Sequence, residues 1–151
     1  MFDDDSPDGL LAEIEACHQW ESMVIARRLV AVAHLLYHRI DEAERSDPDP
    51  GYSMISGFTR TSAEVAAAMN LPPMAARELV AQADALDNRL PAVATLLHEG
   101  RVDWPTVRLI INRTDLVDDA LIAELDRHLA ERIENWQCWS RRRVRNAVDA
   151  A

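Results

Sequence analysis

The amino-acid sequence predicts an all-α fold: a single-domain bundle of six to seven helices with a long N-terminal helix and a helix-turn-helix-like pair. The chain has 151 residues, of which 48% are hydrophobic and only four are glycine, and it is rich in the helix formers Ala, Leu, Glu and Arg. No segment alternates apolar and polar residues as a half-buried strand would. Because this length fits one compact domain, we predict a flexible acidic lead-in over residues 1–7 and a single helical domain over residues 8–151.

The long N-terminal helix is predicted from about Asp8 to Arg45. Its apolar positions fall near a seven-residue rhythm, which indicates one amphipathic helix. They are Leu10, Ile14, Cys17, Val24, Ala31 and Leu35, flanked by Trp20, Met23, Leu36 and Ile40. A helix of this length is either a spine on which the other helices pack or one half of a paired coil.

The next segment is predicted as a loop that leads into a short helix. Residues 46–60, SDPDPGYSMISGFTR, contain two prolines and two glycines, which favour irregular structure. Thr61 and Glu64 then form the capping-box pattern T-x-x-E, which is typical of a helix start. We therefore predict a short helix from Thr61 to about Met69.

Prolines and acidic caps divide the rest of the chain. Asn70 suits the left-handed conformation that ends a helix, and Pro72 and Pro73 suit the first positions of the next one, where a missing N–H does no harm. Asp103 is predicted to cap a helix whose first turn contains Pro105. The helices are thus expected at about residues 73–88, 90–100, 103–113 and 118–135, with a last one starting at Ser140.

The helix pair at residues 61–83 has the outline of a DNA-reading helix-turn-helix, with small and apolar residues where two helices would cross. Base reading requires Arg, Lys, Asn or Gln at base edges, and phosphate binding requires several cations. On the predicted outer face only Arg77 and Gln82 qualify, and Glu78 opposes them. We predict packing as the main role of this pair, with Arg77 and Gln82 as secondary DNA contacts.

The charge is distributed unevenly along the chain, whose formal net charge is -10. Residues 1–50 hold twelve acids and four arginines, whereas residues 101–151 hold nine of each. Nucleic acid would therefore meet the C-terminal side. The arginine run there stands at a predicted helix start, where the helix dipole disfavours cations. Ion pairing within the protein, phosphate contact and docking onto a following domain all remain open for its members, Arg141, Arg142, Arg143 and Arg145.

No residue pattern of an active site is present in the sequence. His34 and His38 are four residues apart, a spacing that could share a metal with Asp41 or Glu42, but we predict an ordinary pair of partly buried or solvated helix histidines instead. There is no Gly-rich phosphate loop, nucleophile elbow or spaced Cys/His cluster. We predict no enzymatic activity, no cofactor and no metal.

The two cysteines, Cys17 and Cys138, are isolated in the sequence, and we interpret them as small apolar residues. Three tryptophans cluster in the C-terminal third, where they either anchor short helices or stack beside the arginines. They are Trp104, Trp136 and Trp139.

The sequence predicts a cytoplasmic protein that makes no membrane contact. Its N-terminus, MFDDDSPDG, is acidic where a signal peptide would be basic. Two isolated cysteines do not form a disulfide framework, and no apolar run approaches the length of a membrane span.

The order of these segments resembles that of the actinobacterial 13E12 repeat family, a domain of unknown function in proteins of mobile or prophage-linked elements. The resemblance is carried by residues 61–104, TSAEVAAAMNLPPMAARELVAQADALDNRLPAVATLLHEGRVDW, and by the C-terminal WSRRRVRNAVDAA. Matching features include an A-A-R-x-L helix, the step Arg89-Leu90-Pro91 and the L-x-x-G-R segment that ends at Arg101.

The resemblance implies a helical module that accompanies a nuclease. In many members this domain precedes an HNH endonuclease domain, whose paired histidines and asparagine bind a divalent metal; this chain contains no such set. The leading expectation is a non-catalytic accessory domain that aids DNA engagement or regulation, with contacts at the arginine run and secondarily at Arg77. The alternative is a protein-interaction or oligomerisation module that uses the long N-terminal helix without DNA contact.

Overall fold

The computed structural model describes residues 3–133, 146 and 148–150, and it is helical almost throughout. Residues 146 and 148–150 are helical, and no strand occurs in the described part. The all-α prediction and its long N-terminal helix are confirmed. Six helices are described: α1 (Pro7–Ser46), α2 (Pro50–Met69), α3 (Pro73–Arg89), α4 (Pro91–His98), α5 (Trp104–Thr114) and α6 (Asp119–Ile133).

The contacts group the chain into two compact units. Unit 1 contains Met1–Arg27 and Pro91–Ala151, and unit 2 contains Arg28–Leu90. The organisation of residues 8–151 as one domain stays a prediction. In the part of the chain that the structure describes, no helix combines the length and the apolar character that crossing a membrane requires.

The apolar rhythm predicted for α1 does not form its buried face. The deeply buried residues follow another stripe, with alternating steps of four and three: Ser22, Ala26, Leu29, Ala33 and Leu36. Small side chains at three of these positions let neighbouring groups pack close to the helix backbone. In the predicted stripe, by contrast, Ile14, Cys17, Val24 and Ala31 are exposed, and only Leu10 and Leu35 are half-buried. The predicted stripe is therefore not the face on which this chain packs its core.

The loop predicted at residues 46–60 is wrong, because most of this segment belongs to α2. Only residues 47–49 separate α1 from α2. The Asp49 carboxylate accepts a hydrogen bond from the Gly51 N–H at 3.0 Å, and Pro50 stands in the first turn. An aspartate cap followed by proline is a favourable helix start, so the same prolines that suggested a loop open a helix.

The predicted capping box lies inside α2 and does not start a helix. Thr61 is buried, and its hydroxyl donates to the Gly57 carbonyl at 2.8 Å. Glu64 accepts two hydrogen bonds, each 2.8 Å long, from the Arg39 guanidinium of α1. At Gly57 a Cβ atom would stand 2.6 Å from Cγ1 of Ile40, so only glycine permits this approach of α2 to α1. These contacts hold the segment helical against α1.

The turn between α2 and α3 has the predicted chemistry. Asn70 adopts the left-handed conformation, with φ 53° and ψ 50°, and the Leu71 N–H donates to the Ala66 carbonyl at 2.9 Å. Pro73 is the first residue of α3, and α2 and α3 pack against each other. The helix-turn-helix-like pair is therefore present, with Ala76 fully buried.

Helix starts and ends in unit 1 also follow the predicted signals. Gly100 takes a positive φ of 71° just after α4, the Asp103 carboxylate accepts from the Thr106 N–H at 3.0 Å, and the Asp118 carboxylate accepts from the Ala120 N–H at 3.0 Å. Two predicted features, the end of α6 at Asn135 and the cap at Ser140, lie outside the described residues.

One helix start in unit 1 depends on a side chain far away in the sequence. Asp126 of α6 is buried, and its two carboxylate oxygens accept hydrogen bonds from the N–H groups of Ala92 at 2.8 Å and Val93 at 3.0 Å. These groups belong to the first turn of α4, where N–H groups lack partners within the helix. Asp126 thus caps α4 and joins it to α6.

Candidate functional site

The first half of α1 exposes a regular stripe of side chains, which we call the outer stripe. Its spacing alternates between three and four residues, the spacing of a coiled-coil seam. Trp20 is 68% exposed and Val24 is 61% exposed. The members are Leu10, which is half-buried, and the exposed Glu13, Cys17, Trp20, Val24 and Arg27, all on α1 within unit 1.

The centre of the outer stripe is apolar and its flanks extend the apolar area. Ile14 and Met23, beside the stripe, are also exposed. The Cys17 thiol lies 3.5 Å from a Glu13 carboxylate oxygen, and this hydrogen bond to an acceptor raises the pKa of the thiol. Cys17 therefore stays neutral near pH 7 and presents a small, weakly polar surface next to Trp20.

Charged residues of opposite sign close the two ends of the apolar centre. Glu13 precedes Trp20 by seven residues, and Arg27 follows it by seven. At about 1.5 Å per residue, each charge stands roughly 10 Å from the tryptophan along the helix axis. The apolar periodicity of the sequence identified Leu10, Cys17 and Val24 but not Glu13 and Arg27. The seven-residue spacing of Glu13 and Arg27 from Trp20 is nevertheless visible in the sequence.

The outer stripe is suited to protein contact. Contiguous exposed apolar side chains at coiled-coil spacing mark surfaces that associate with other helices. Tryptophan is the side chain that contributes most often to binding energy when it is covered.

Of the two residues of α3 predicted to contact DNA, Arg77 is exposed and Gln82 is buried. Gln82 is only 6% exposed, and its amide donates to Glu78 at 3.3 Å. The prediction that Gln82 faces outward is therefore wrong, because α3 turns this residue towards the core of unit 2. Arg77 is exposed, and its guanidinium lies over the Phe58 ring at 5.2 Å from the centroid. Of the two predicted DNA-facing residues of α3, only Arg77 is exposed, which is a weak basis for base reading.

Four predicted DNA contacts, Arg141, Arg142, Arg143 and Arg145, lie outside the described residues, as do Trp136, Cys138 and Trp139.

A groove of about 790 Å³ lies in unit 1. Within it Arg113 forms an ion pair with Asp149, which raises the pKa of Arg113. Its charged lining mixes signs, with Glu124, Arg127 and Glu131 alongside that pair. Among the described residues, this lining therefore shows no net preference for phosphate.

The two histidines of the possible metal pair line a small groove of about 230 Å³ together with Tyr37 and Asp41. Tyr37 lies against α3, with its hydroxyl 2.9 Å from an Asp87 carboxylate oxygen. Burial, and then this hydrogen bond, raise the pKa of Tyr37. Among the described residues, no three His, Cys, Asp or Glu side chains are grouped to hold a metal ion.

Comparison with known proteins gives one family and two similar proteins. A family described as a domain of unknown function, DUF222, matches residues 17–151. Two Mycobacterium tuberculosis proteins, named "Uncharacterized protein in est 3'region" and "Uncharacterized protein Rv3776", are each 34% identical to the chain over 142 residues. That alignment covers 93% of this chain but only 39% and 26% of the two relatives. No solved structure matches the chain significantly.

Proposed function

The chain belongs to the DUF222 family, and we propose that it is a non-catalytic accessory module whose outer stripe binds protein. The exposed apolar centre of this stripe, with Trp20 and Val24 at coiled-coil spacing, carries the proposal. Where a tryptophan is a hot spot of an interface, its truncation costs about 2 kcal/mol or more of binding free energy. This is the interaction module that the sequence suggested as an alternative to DNA engagement.

The proposed context is a longer protein. The chain spans well under half of each M. tuberculosis relative it matches. Together with the resemblance to the 13E12 repeat family, this supports a module that accompanies an HNH-type nuclease domain in mobile-element proteins. In such a protein the catalytic groups belong to the other domain, and this one serves assembly or regulation.

DNA engagement by the arginine run is a second candidate function. Four arginines within five positions, in the third of the chain where acids and arginines balance, support it. The acidic first third and the single exposed arginine of α3 argue against any broad DNA surface.

Light scattering on the purified chain tests the protein-binding proposal. Trp20→Glu places a charge at the centre of the outer stripe, and association of the chain through this stripe is expected to be lost, so that the average mass falls to that of a monomer. Ile55→Glu is the matched control, because Ile55 is equally exposed, at 71%, and lies on α2. A mass that Trp20→Glu leaves unchanged contradicts the proposal.

A titration of duplex DNA at two salt concentrations tests the second candidate. Binding through the arginine run should weaken with salt, with a slope of about -0.9 per phosphate neutralised. A variant with Arg141, Arg142 and Arg143 replaced by alanine should then lose most of the affinity, whereas Arg77→Ala should lose little. Absence of binding by the wild-type chain at low salt refutes DNA engagement by this chain.

A further inference from the structure

The outer stripe is complementary to itself when one copy is reversed. Its ends carry Glu13 and Arg27, and Trp20 lies midway between them. All three side chains are exposed on α1. A surface with opposite charges at equal distances from an apolar centre matches its own image after a rotation of 180° about that centre.

We infer that the outer stripe binds a second copy of this chain, with the two α1 helices antiparallel. The inference rests on the proposed function and names the partner of that same surface. In this arrangement Glu13 of each copy lies beside Arg27 of the other, so two opposite-charge pairs enclose the paired apolar centres. Charges that flank a helical seam set partner orientation in this way.

A parallel pair of α1 helices is disfavoured by the same charges. Parallel pairing in register sets Glu13 against Glu13 and Arg27 against Arg27, and like charges in register destabilise helix pairing. An unrelated acidic partner would meet Glu13, and a basic partner would meet Arg27. A reversed copy of this chain satisfies both ends, because it presents an arginine to Glu13 and a glutamate to Arg27.

The seam is short, so the dimer is expected to be weak. The outer stripe spans residues 10–27, which is roughly 26 Å of helix at about 1.5 Å per residue. A contact of this length lies at the small end of specific protein interfaces. We therefore expect a dissociation constant in roughly the micromolar range, reached at the concentrations used for sedimentation.

A charge-reversal cycle measured by sedimentation equilibrium tests the arrangement. In an antiparallel dimer, Glu13→Arg turns both end pairs into arginine–arginine contacts, and Arg27→Glu turns both into glutamate–glutamate contacts. Each single variant should raise the dissociation constant roughly ten-fold, since two exposed pairs change sign. The double variant restores opposite pairs and should return to within about two-fold of wild type.

The control for net charge is Glu15→Arg. Glu15 is exposed, lies on the opposite side of α1 and gives the same change of charge as Glu13→Arg. It should shift the dissociation constant by less than about two-fold. Far-UV circular dichroism on each variant verifies that the helices remain folded.

The outcomes separate this inference from the proposed function. Recovery in the double variant, together with loss of association in Trp20→Glu, supports both. Loss in Trp20→Glu without any charge coupling overturns the antiparallel second copy and leaves the stripe a protein-binding surface. An association that neither Trp20→Glu nor the charge reversals affect, or a wild-type chain that stays monomeric at every concentration, overturns both.

Discussion

Asp126 provides the sharpest test of how unit 1 is held together. Its carboxylate satisfies two N–H groups at the start of α4, at 2.8 and 3.0 Å. α4 has only eight residues, and a helix this short is not stable by itself. We expect the carboxylate to hold α4 in place and to contribute measurably to the free energy of unfolding of the whole chain.

The magnitude follows from the two hydrogen bonds. Asp126→Ala leaves two N–H groups without a partner, each at a cost of about 1–3 kcal/mol when buried. Burial raises the pKa of Asp126 against the lowering effect of the same two hydrogen bonds, so part of their gain is offset by desolvation of the charge. We therefore expect a loss at the lower end, about 2–3 kcal/mol, for alanine. Asp126→Asn keeps one acceptor oxygen and should lose about half as much.

Urea unfolding followed by circular dichroism measures these losses. With a urea slope of about 2 kcal/mol per molar, the alanine variant should unfold at a midpoint lower by about 1–1.5 M. Asp118→Ala is the matched control, because Asp118 is exposed and accepts one N–H hydrogen bond at the start of α6. That variant should lose about 1 kcal/mol or less. Equal losses for Asp126→Ala and Asp118→Ala would refute the assigned role of the buried carboxylate.

Three further predictions concern α1, α2 and the turn after α4. Gly57→Ala should lower the urea midpoint because a Cβ there meets α1 at 2.6 Å, whereas Gly51→Ala, with its nearest neighbour at 3.4 Å, should not. Gly100→Ala should also destabilise the chain, since φ is 71° and the nearest backbone oxygen would lie 3.1 Å away; thermal unfolding measures the loss. Arg39 lowers the pKa of Glu64, so this pair stabilises the fold above the unfolded pKa of about 4.3 and loses that effect as pH falls through the lower folded value. The difference in unfolding free energy between wild type and Arg39→Gln should therefore shrink below about pH 4, and a constant difference would contradict the pairing.

Local signals in the sequence were enough to place most helix ends. Asn70 and Asp103 act at the positions predicted because a left-handed turn and a side-chain cap depend only on residues within a few positions. Prolines follow the same rule, since five of the seven stand in the first turn of a helix: Pro7, Pro50, Pro73, Pro91 and Pro105. The loop prediction for residues 46–60 was wrong because Pro50 was taken to end regular structure. Asp49 caps the helix that Pro50 begins.

The features that sequence could not supply depend on distant partners. Nothing near Asp126 in the sequence indicates that it caps a helix more than thirty positions earlier, at Ala92. Likewise, the glycine at position 57 becomes a helical contact only because Ile40 approaches it. For Gln82, the helix was predicted correctly, but its rotation about its own axis depends on the tertiary packing that buries this side chain.

The prediction of which face of α1 is buried was wrong because sequence periodicity does not show where the rest of the chain packs. Two stripes with alternating steps of three and four run along this helix, and periodicity alone does not rank them. The prediction followed larger apolar side chains on the exposed side, such as Ile14 and Val24, whereas the buried stripe contains Ser22 and Ala26 because close packing favours small residues there. A long helix with a second apolar stripe left exposed is what a module that binds through that helix requires.

Added salt should change the affinity of self-association and the affinity for DNA in opposite directions, which distinguishes the two candidate functions. Each copy carries a formal net charge of -10, so two copies repel one another over a Debye length of about 10 Å at 0.1 M salt, and added salt reduces that repulsion. The same salt weakens the exposed pair of Glu13 and Arg27, but such pairs contribute only about 0.2–1 kcal/mol, and the apolar centre is insensitive to screening. Self-association should consequently hold or strengthen as salt rises, whereas DNA affinity falls steeply because binding releases counterions. One salt series on the same sample therefore decides which contact the chain makes under physiological conditions.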